Sequence, residues 1–203
     1  MKLRRLLLGA AAAVAGAALW WRKNPSACPY GQRFWVEAPH PLITRSRLRE
    51  ILDPRPGERI LEVGPGTGYY TLEVAEWVKP DGVLHILDLQ QEMLEHTMRR
   101  AGERGLANVT PTQSDATAMP YEDGTYDAAY LVTVLGEIPD QEAALRELAR
   151  VLRPGGRLVV GELFGDPHYV RLGAMRLRAS GAGLGYERRA GNAVGYFARF
   201  AKP

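Results

Sequence analysis

Apolar and polar positions along this chain follow two periods that take turns. Residues 42–52 place Leu42, Ile43, Leu48, Ile51 and Leu52 at helical spacing with three arginines between them, the pattern of an amphipathic helix. Asp53-Pro54 and Pro56-Gly57 stop it. A short apolar strand follows at 59–63. A helical stretch at 67–78 is closed by Pro80-Asp81-Gly82, and a second strand lies at 83–87. The series continues with a helix at 90–104, a weaker strand at 108–113, a strand at 126–132, a helix at 141–152 stopped by Pro154-Gly155-Gly156, and a strand at 157–161. The 126–132 strand is apolar throughout, which places it centrally in a sheet. A helix around 170–180, a glycine-rich turn and two short β patterns at 186–189 and 194–201 complete the chain. Strand and helix alternating five times predict an α/β fold, a doubly wound, mostly parallel sheet with helices on both faces.

Ahead of this pattern lies a different one. Residues 6–21, LLLGAAAAVAGAALWW, are sixteen positions without a charge, flanked by Arg4, Arg5, Arg22 and Lys23. As a helix the stretch would be about 24 Å long at ~1.5 Å per residue, short of the ~30 Å hydrocarbon core. Snorkelling basic side chains and the boundary tryptophans can close that gap. A membrane anchor over residues 1–23 is the first reading. A cleaved signal peptide and a helix lying in the membrane plane remain as alternatives. Residues 24–41 contain four prolines, an extended and irregular run that reads as a linker carrying Phe34 and Trp35. The domain then occupies residues 42–203.

Charge sharpens this division. The chain of 203 residues has a net charge of +3, but residues 1–50 hold nine Lys/Arg against two acids, leaving 17 Lys/Arg against 21 Asp/Glu for residues 51–203. The basic excess belongs to the N-terminal arm, which suits an anionic membrane surface. An acidic domain argues against nucleic acid as partner. The expected placement is membrane-associated, with the catalytic domain on the cytoplasmic side. A single cysteine, Cys28, permits no disulfide framework and no zinc cluster within the chain, and no metal site is expected. Oligomeric state is not encoded in any pattern found.

In sheets of this kind ligands bind at the carboxyl ends of strands, where strand order switches. After the first strand comes Gly64-Pro65-Gly66-Thr67-Gly68, a turn that lets a ligand approach the backbone. After the second comes Asp88, 20 residues beyond Gly68, able to accept both hydroxyls of a ribose. After the third comes Ser114-Asp115-Ala116, where a carboxylate can accept from an adenine amino group. Thr133 follows the fourth strand. Asp88 can also be read as a helix N-cap and Asp115 as a turn residue. A dinucleotide fingerprint would need its third glycine one place later, at Tyr69. Glu62, just before the glycines, would repel a pyrophosphate and suits a cationic ligand instead.

LEVGPGTG, LDLQ with Asp88, SDA with Asp115, YDAAY and LRPGGRLVV, in that order, resemble the class I S-adenosylmethionine-dependent methyltransferases, most closely the small ones grouped with the ubiquinone/menaquinone C-methyltransferases. The resemblance covers about residues 42–164. It implies a Rossmann-like seven-stranded sheet with an antiparallel last strand, and S-adenosyl-L-methionine as cofactor. It also implies that Glu62, Gly64, Pro65, Gly66 and Gly68 lie at the methionine moiety, that Asp88 takes the ribose hydroxyls, and that Leu89, Gln90 and Met93 flank ribose and adenine. Asp115 and Ala116 would meet the adenine, with Thr133 closing the pocket.

Methyl transfer from a sulfonium is an in-line displacement that rests on orientation and desolvation. A base is needed only where the acceptor loses a proton. Glu137, Glu162, Asp166 and His168 are the candidates near strand ends, and none is singled out as catalytic. The Asn/Asp-Pro-Pro-Tyr box of enzymes that methylate nucleic-acid amines is absent. Together with the arm at 6–21, this points to a small acceptor, quinone- or lipid-like. A nicotinamide-dependent reductase and a non-catalytic adenosylmethionine-binding protein are the alternatives.

Overall fold

The computed structural model describes residues 24–34 and 40–203; the apolar run 6–21 and Trp35 lie outside the described residues. Seven strands form one sheet: β1 (Arg59–Val63), β2 (Val83–Asp88), β3 (Val109–Gln113), β4 (Tyr126–Val132), β5 (Leu152–Leu163), β6 (Gly185–Gly191) and β7 (Gly195–Ala201). Their order is β3-β2-β1-β4-β5-β7-β6. The first five are parallel, and β7 runs antiparallel between β5 and β6. Five α-helices accompany them among the described residues: α1 (Arg45–Leu52), α2 (Thr71–Trp77), α3 (Gln91–Glu103), α4 (Gln141–Val151) and α5 (Leu172–Gly181).

Alternating strand positions feed two cores. Ile60, Tyr130, Val159 and Phe197 pack with residues of α1, α2 and α3, while Leu61, Leu131, Val160 and Phe200 pack with residues of α4 and α5. Both faces of β4 are thereby covered, which is why YDAAYLV reads apolar with only Asp127 less than buried. The order switches direction at β1, with β2 on one side and β4 on the other, and connections leaving in opposite senses open a crevice there.

Three element boundaries differ from the periodicity by three residues or more. α1 begins at Arg45 because Thr44 Oγ1 caps it, accepting from the Arg47 N–H at 3.3 Å. α2 begins at Thr71 because Gly64, Gly66 and Gly68 all have positive φ, incompatible with a helix, and the turn closes through Gly68 N–H to Pro65 C=O at 2.9 Å. β5 is longer than 157–161: Leu152 already pairs with Tyr126 ahead of a bulge, and β7 extends the pairing to Leu163.

One buried ion pair ties the lower edge together. Arg157 of β5 donates from Nη1 to Glu58 Oε1 at 2.8 Å and from Nη2 to Asp53 C=O at 2.8 Å, joining the end of α1 and the approach to β1 to the sheet.

Candidate functional site

The crevice is a cavity of about 360 Å³ at the carboxyl ends of β1, β2, β3 and β4. β1 and its turn contribute Val63, Gly64 and Gly66. β2 and the start of α3 contribute Leu87, Asp88, Leu89, Gln90 and Met93. Ser114, Asp115 and Ala116 follow β3, and Val132, Thr133, Val134, Glu137, Ile138 and Pro139 come from β4 and the turn after it. Nine of the twelve residues expected at the cofactor therefore stand on one wall. Glu62, Pro65 and Gly68 do not.

Glu62 is 3 % exposed and points to the α2 side of the sheet, where its Oε2 accepts from Thr71 Oγ1 at 2.5 Å. Burial pushes its carboxyl up to about 7, against the pull of the Thr71 and Tyr130 hydroxyls. Side chains alternate along a strand, and Glu62 falls on the opposite face from Val63. Gly68 sits against Thr97 of α3, 3.1 Å from where its Cβ would be. The last glycine of the turn thus serves turn-to-helix packing.

Asp88 Oδ1 accepts from the Gln90 N–H at 2.8 Å, the geometry of a turn that leads into α3. Burial pushes its carboxyl up to about 6, offset in part by the Gln90 and Leu89 amides. Such a carboxylate on a cavity wall gains from two hydroxyl donors, as a ribose would supply. Asp115 is exposed, and its Oδ1 accepts from both the N–H and the hydroxyl of Thr117 at 2.8 Å, so it holds its own turn and also lines the cavity. Thr133 has φ of 57°, a strained left-handed backbone for a β-branched residue. Val63, Leu87, Met93, Ala116, Val132 and Ile138 supply apolar walls that suit a purine ring, and the glycine turn leaves the backbone bare beside them. These residues fit S-adenosylmethionine.

Of the four candidate bases only Glu137 reaches the cavity wall. Burial pushes its carboxyl up to about 8, with Asp166 and Asp88 adding to the rise and the Cys28 amide opposing it. Glu162 is 1 % exposed, accepts from Val170 N–H at 3.0 Å and is likewise pushed to about 8. Asp166 accepts from His168 N–H at 2.7 Å and is raised by burial. These two and His168 stand behind the wall.

The run 24–34 is where sequence reasoning missed most. Pro25, Ser26, Ala27 and Cys28 line the cavity. Nothing in a proline-rich stretch announces a contact with positions 62 and 109 residues away in the chain. A proline run fixes backbone shape and says nothing of what it lies on.

The strand order and a cavity at the β1 switch point, with a glycine turn and a carboxylate at successive strand ends, define a Rossmann-like domain with its ligand crevice at that point. The family model described as "Methyltransferase domain" matches residues 60–156. Over that stretch the chain is similar to the class I S-adenosylmethionine-dependent methyltransferases of the UbiE-like group, whose cofactor is S-adenosylmethionine. It is 38% identical over 114 residues to a ubiquinone/menaquinone biosynthesis C-methyltransferase, UbiE, of Ectopseudomonas mendocina, a match covering 56% of this chain and 44% of that protein. It is 42% identical over 118 residues to an uncharacterized 37.1 kDa protein in transposon TN4556 of Streptomyces fradiae, covering 58% of this chain and 34% of the other. The chain thus spans less than half the length of these relatives. Among solved structures, a SAM dependent methyltransferase from Aquifex aeolicus superposes with a TM-score of 0.78 at 20% identity, covering 86% of this chain and 98% of that one. The [4+2]-cyclase SpnF superposes with a TM-score of 0.69 at 23% identity, covering 78% and 79%. A cyclase on the same architecture illustrates that fold alone does not fix the reaction.

Proposed function

We propose that this protein transfers the methyl group of S-adenosylmethionine to a small lipophilic acceptor, quinone- or lipid-like, and that the arm at 6–21 holds the catalytic domain against the cytoplasmic face of a membrane. The observation that supports the transfer reading is the cavity lining, which brings together Asp88, Asp115, Ala116 and bare glycine backbone at 64 and 66. The cofactor supplies an electrophilic methyl group on a sulfonium. The protein orients the adenosyl group through Asp88, excludes water with Val132, Val134 and Ile138, and presents Glu137 to the acceptor. Where the acceptor loses a proton, Glu137 takes it.

Supporting a lipophilic acceptor, Leu89 (58 % exposed), Phe164 (65 %) and Val194 (48 %) stand at the same edge of the sheet as the cavity, and Phe34 (56 %) follows the segment that crosses it. Among the described residues no helix is long and apolar enough to cross a membrane, so attachment rests on the arm and on this apolar rim. The net negative charge of residues 51–203 disfavours nucleic acid as acceptor.

Calorimetric titration with S-adenosylhomocysteine and with NADPH tests the cofactor; NADPH binding without adenosylhomocysteine binding would overturn the reading in favour of a reductase. Turnover on quinone and lipid extracts separates an enzyme from a binding protein. Equal partition of the full chain and of a chain starting at Asn24 between membrane and soluble fractions would remove the anchor.

A further inference from the structure

Cys28 stands between two strand ends. Its main-chain N–H donates to Glu137 Oε2 at 3.2 Å, after β4, and its C=O accepts from Gln90 Nε2 at 2.9 Å, after β2. β1 lies between those two strands, and the glycine turn follows it. One residue therefore spans the cavity mouth above the turn. The Gln90 amide is used at both ends, because its Oε1 also accepts from the Tyr30 N–H at 3.1 Å. The pairing resembles one rung of a sheet ladder built from a side chain. Tyr30 fixes the far end: its hydroxyl bonds His96 Nδ1 of α3 at 3.1 Å, its ring meets the His96 ring edge-on, and the Arg33 guanidinium lies 4.6 Å from the centre of its ring. Pro25 to Cys28, between this seat and the arm, face the cavity.

We infer that residues 25–30 are a strap closing the cofactor site, with Gln90 and Tyr30 as the positioning residues that hold it, so that cofactor leaves only when the strap lifts. The inference rests on the reading of the cavity as an adenosylmethionine site. It assigns to a stretch that composition marks as a spacer the fourth wall of the pocket. It also gives Gln90 a task apart from the ribose, since both ends of its amide are turned to the strap. Tyr30 lines no part of the cavity. A change there reaches a bound ligand only through the strap.

Cys28 is the sole cysteine in the chain, so a thiol reagent reports the strap alone. The test uses the full chain, with S-adenosylhomocysteine as ligand and 5,5′-dithiobis(2-nitrobenzoate) as reagent. Wild-type protein should release S-adenosylhomocysteine slowly, and the ligand should slow Cys28 modification about tenfold or more. Tyr30→Ala should speed ligand release about three- to tenfold, the range for losing one or two modest contacts, and should weaken the protection of Cys28. Tyr30→Phe, which keeps the ring and loses only the His96 bond, should fall between. Thermal melts should be alike for all three, since Tyr30 belongs to neither core. A wild-type protein that binds S-adenosylhomocysteine with Cys28 reacting at the same rate with and without it, or a Tyr30→Ala release rate equal to wild type, would overturn the strap and leave the methyltransferase reading standing. Failure of the wild-type protein to bind S-adenosylhomocysteine at all would overturn both.

Discussion

Gly64 and Val134 face each other on the cavity wall so closely that a Cβ on Gly64 would lie 2.4 Å from Val134 Cγ2. Gly64 also has φ of +70°. Gly64→Ala should therefore lose cofactor affinity twice over, through backbone strain of about 1–3 kcal/mol and through displacement of Val134. Pairing it with Val134→Ala relieves the collision and leaves the strain. Calorimetry with S-adenosylhomocysteine should find the double variant recovering part of the lost affinity; full recovery would mean that the backbone conformation at 64 does not matter.

Asp88→Ala removes the carboxylate expected at the ribose hydroxyls, and its cost in binding should be about 2–4 kcal/mol. Affinity unchanged on titration would take Asp88 out of the site.

The same carboxylate predicts a pH dependence. Without ligand, burial holds Asp88 at about 6, and the ionised form is the better acceptor for hydroxyl donors. Adenosylhomocysteine affinity should be level above that value and fall as pH drops through it. The Asp88→Ala protein should lack this limb of the profile.

Glu137, held at about 8, should govern turnover rather than cofactor affinity where the acceptor must lose a proton. The rate is then expected to rise with pH up to about that value, and Glu137→Gln to lower kcat and flatten the rise. A rate independent of pH from 6 to 9 in wild-type protein would leave Glu137 without a role as base.

Stability should run the other way. Glu62, Glu137 and Glu162 are all raised from an ordinary value of 4.5, to about 7, 8 and 8. In that window the folded chain holds more protons than the unfolded one, so stability falls as pH rises from about 4.5 towards 8. Glu162→Gln keeps an oxygen for the Val170 amide and removes the charge. Its melting temperature should decline less between pH 5 and 8 than that of wild type, a comparison that scanning calorimetry makes directly.

Much of this fold could be read from the chain. The order of strands and helices follows from apolar runs such as 59–63 and 126–132, because each had to be buried on both faces of a parallel sheet. Asp88 and Asp115 were legible as strand-end carboxylates. The face that Glu62 takes was not legible, because strand register decides it, and a register is settled by neighbours that the local sequence does not name. The strap was invisible for a related reason. Its partners are Gln90 and Glu137, and a hydrogen bond from a main-chain N–H leaves no trace in residue type at the donor. Choosing Glu137 over Glu162 and Asp166 needed the loop packing that turns one acid to the cavity and leaves the others behind it.

The insertion of β7 between β5 and β6 has a consequence for how the chain is made. Phe197 completes the core on the α1–α3 side, and Tyr196, Ala198 and Phe200 complete the core on the α4–α5 side. A polypeptide emerging from the ribosome can order β1 to β4 early, yet it cannot fill either core until β7 has been synthesised. Until then the flank of β5 that β7 will occupy stays unpaired, an open edge of the kind that recruits neighbouring chains. The rest of the domain thus waits on the seven residues of β7, the last of its strands to be made, for its protection from aggregation.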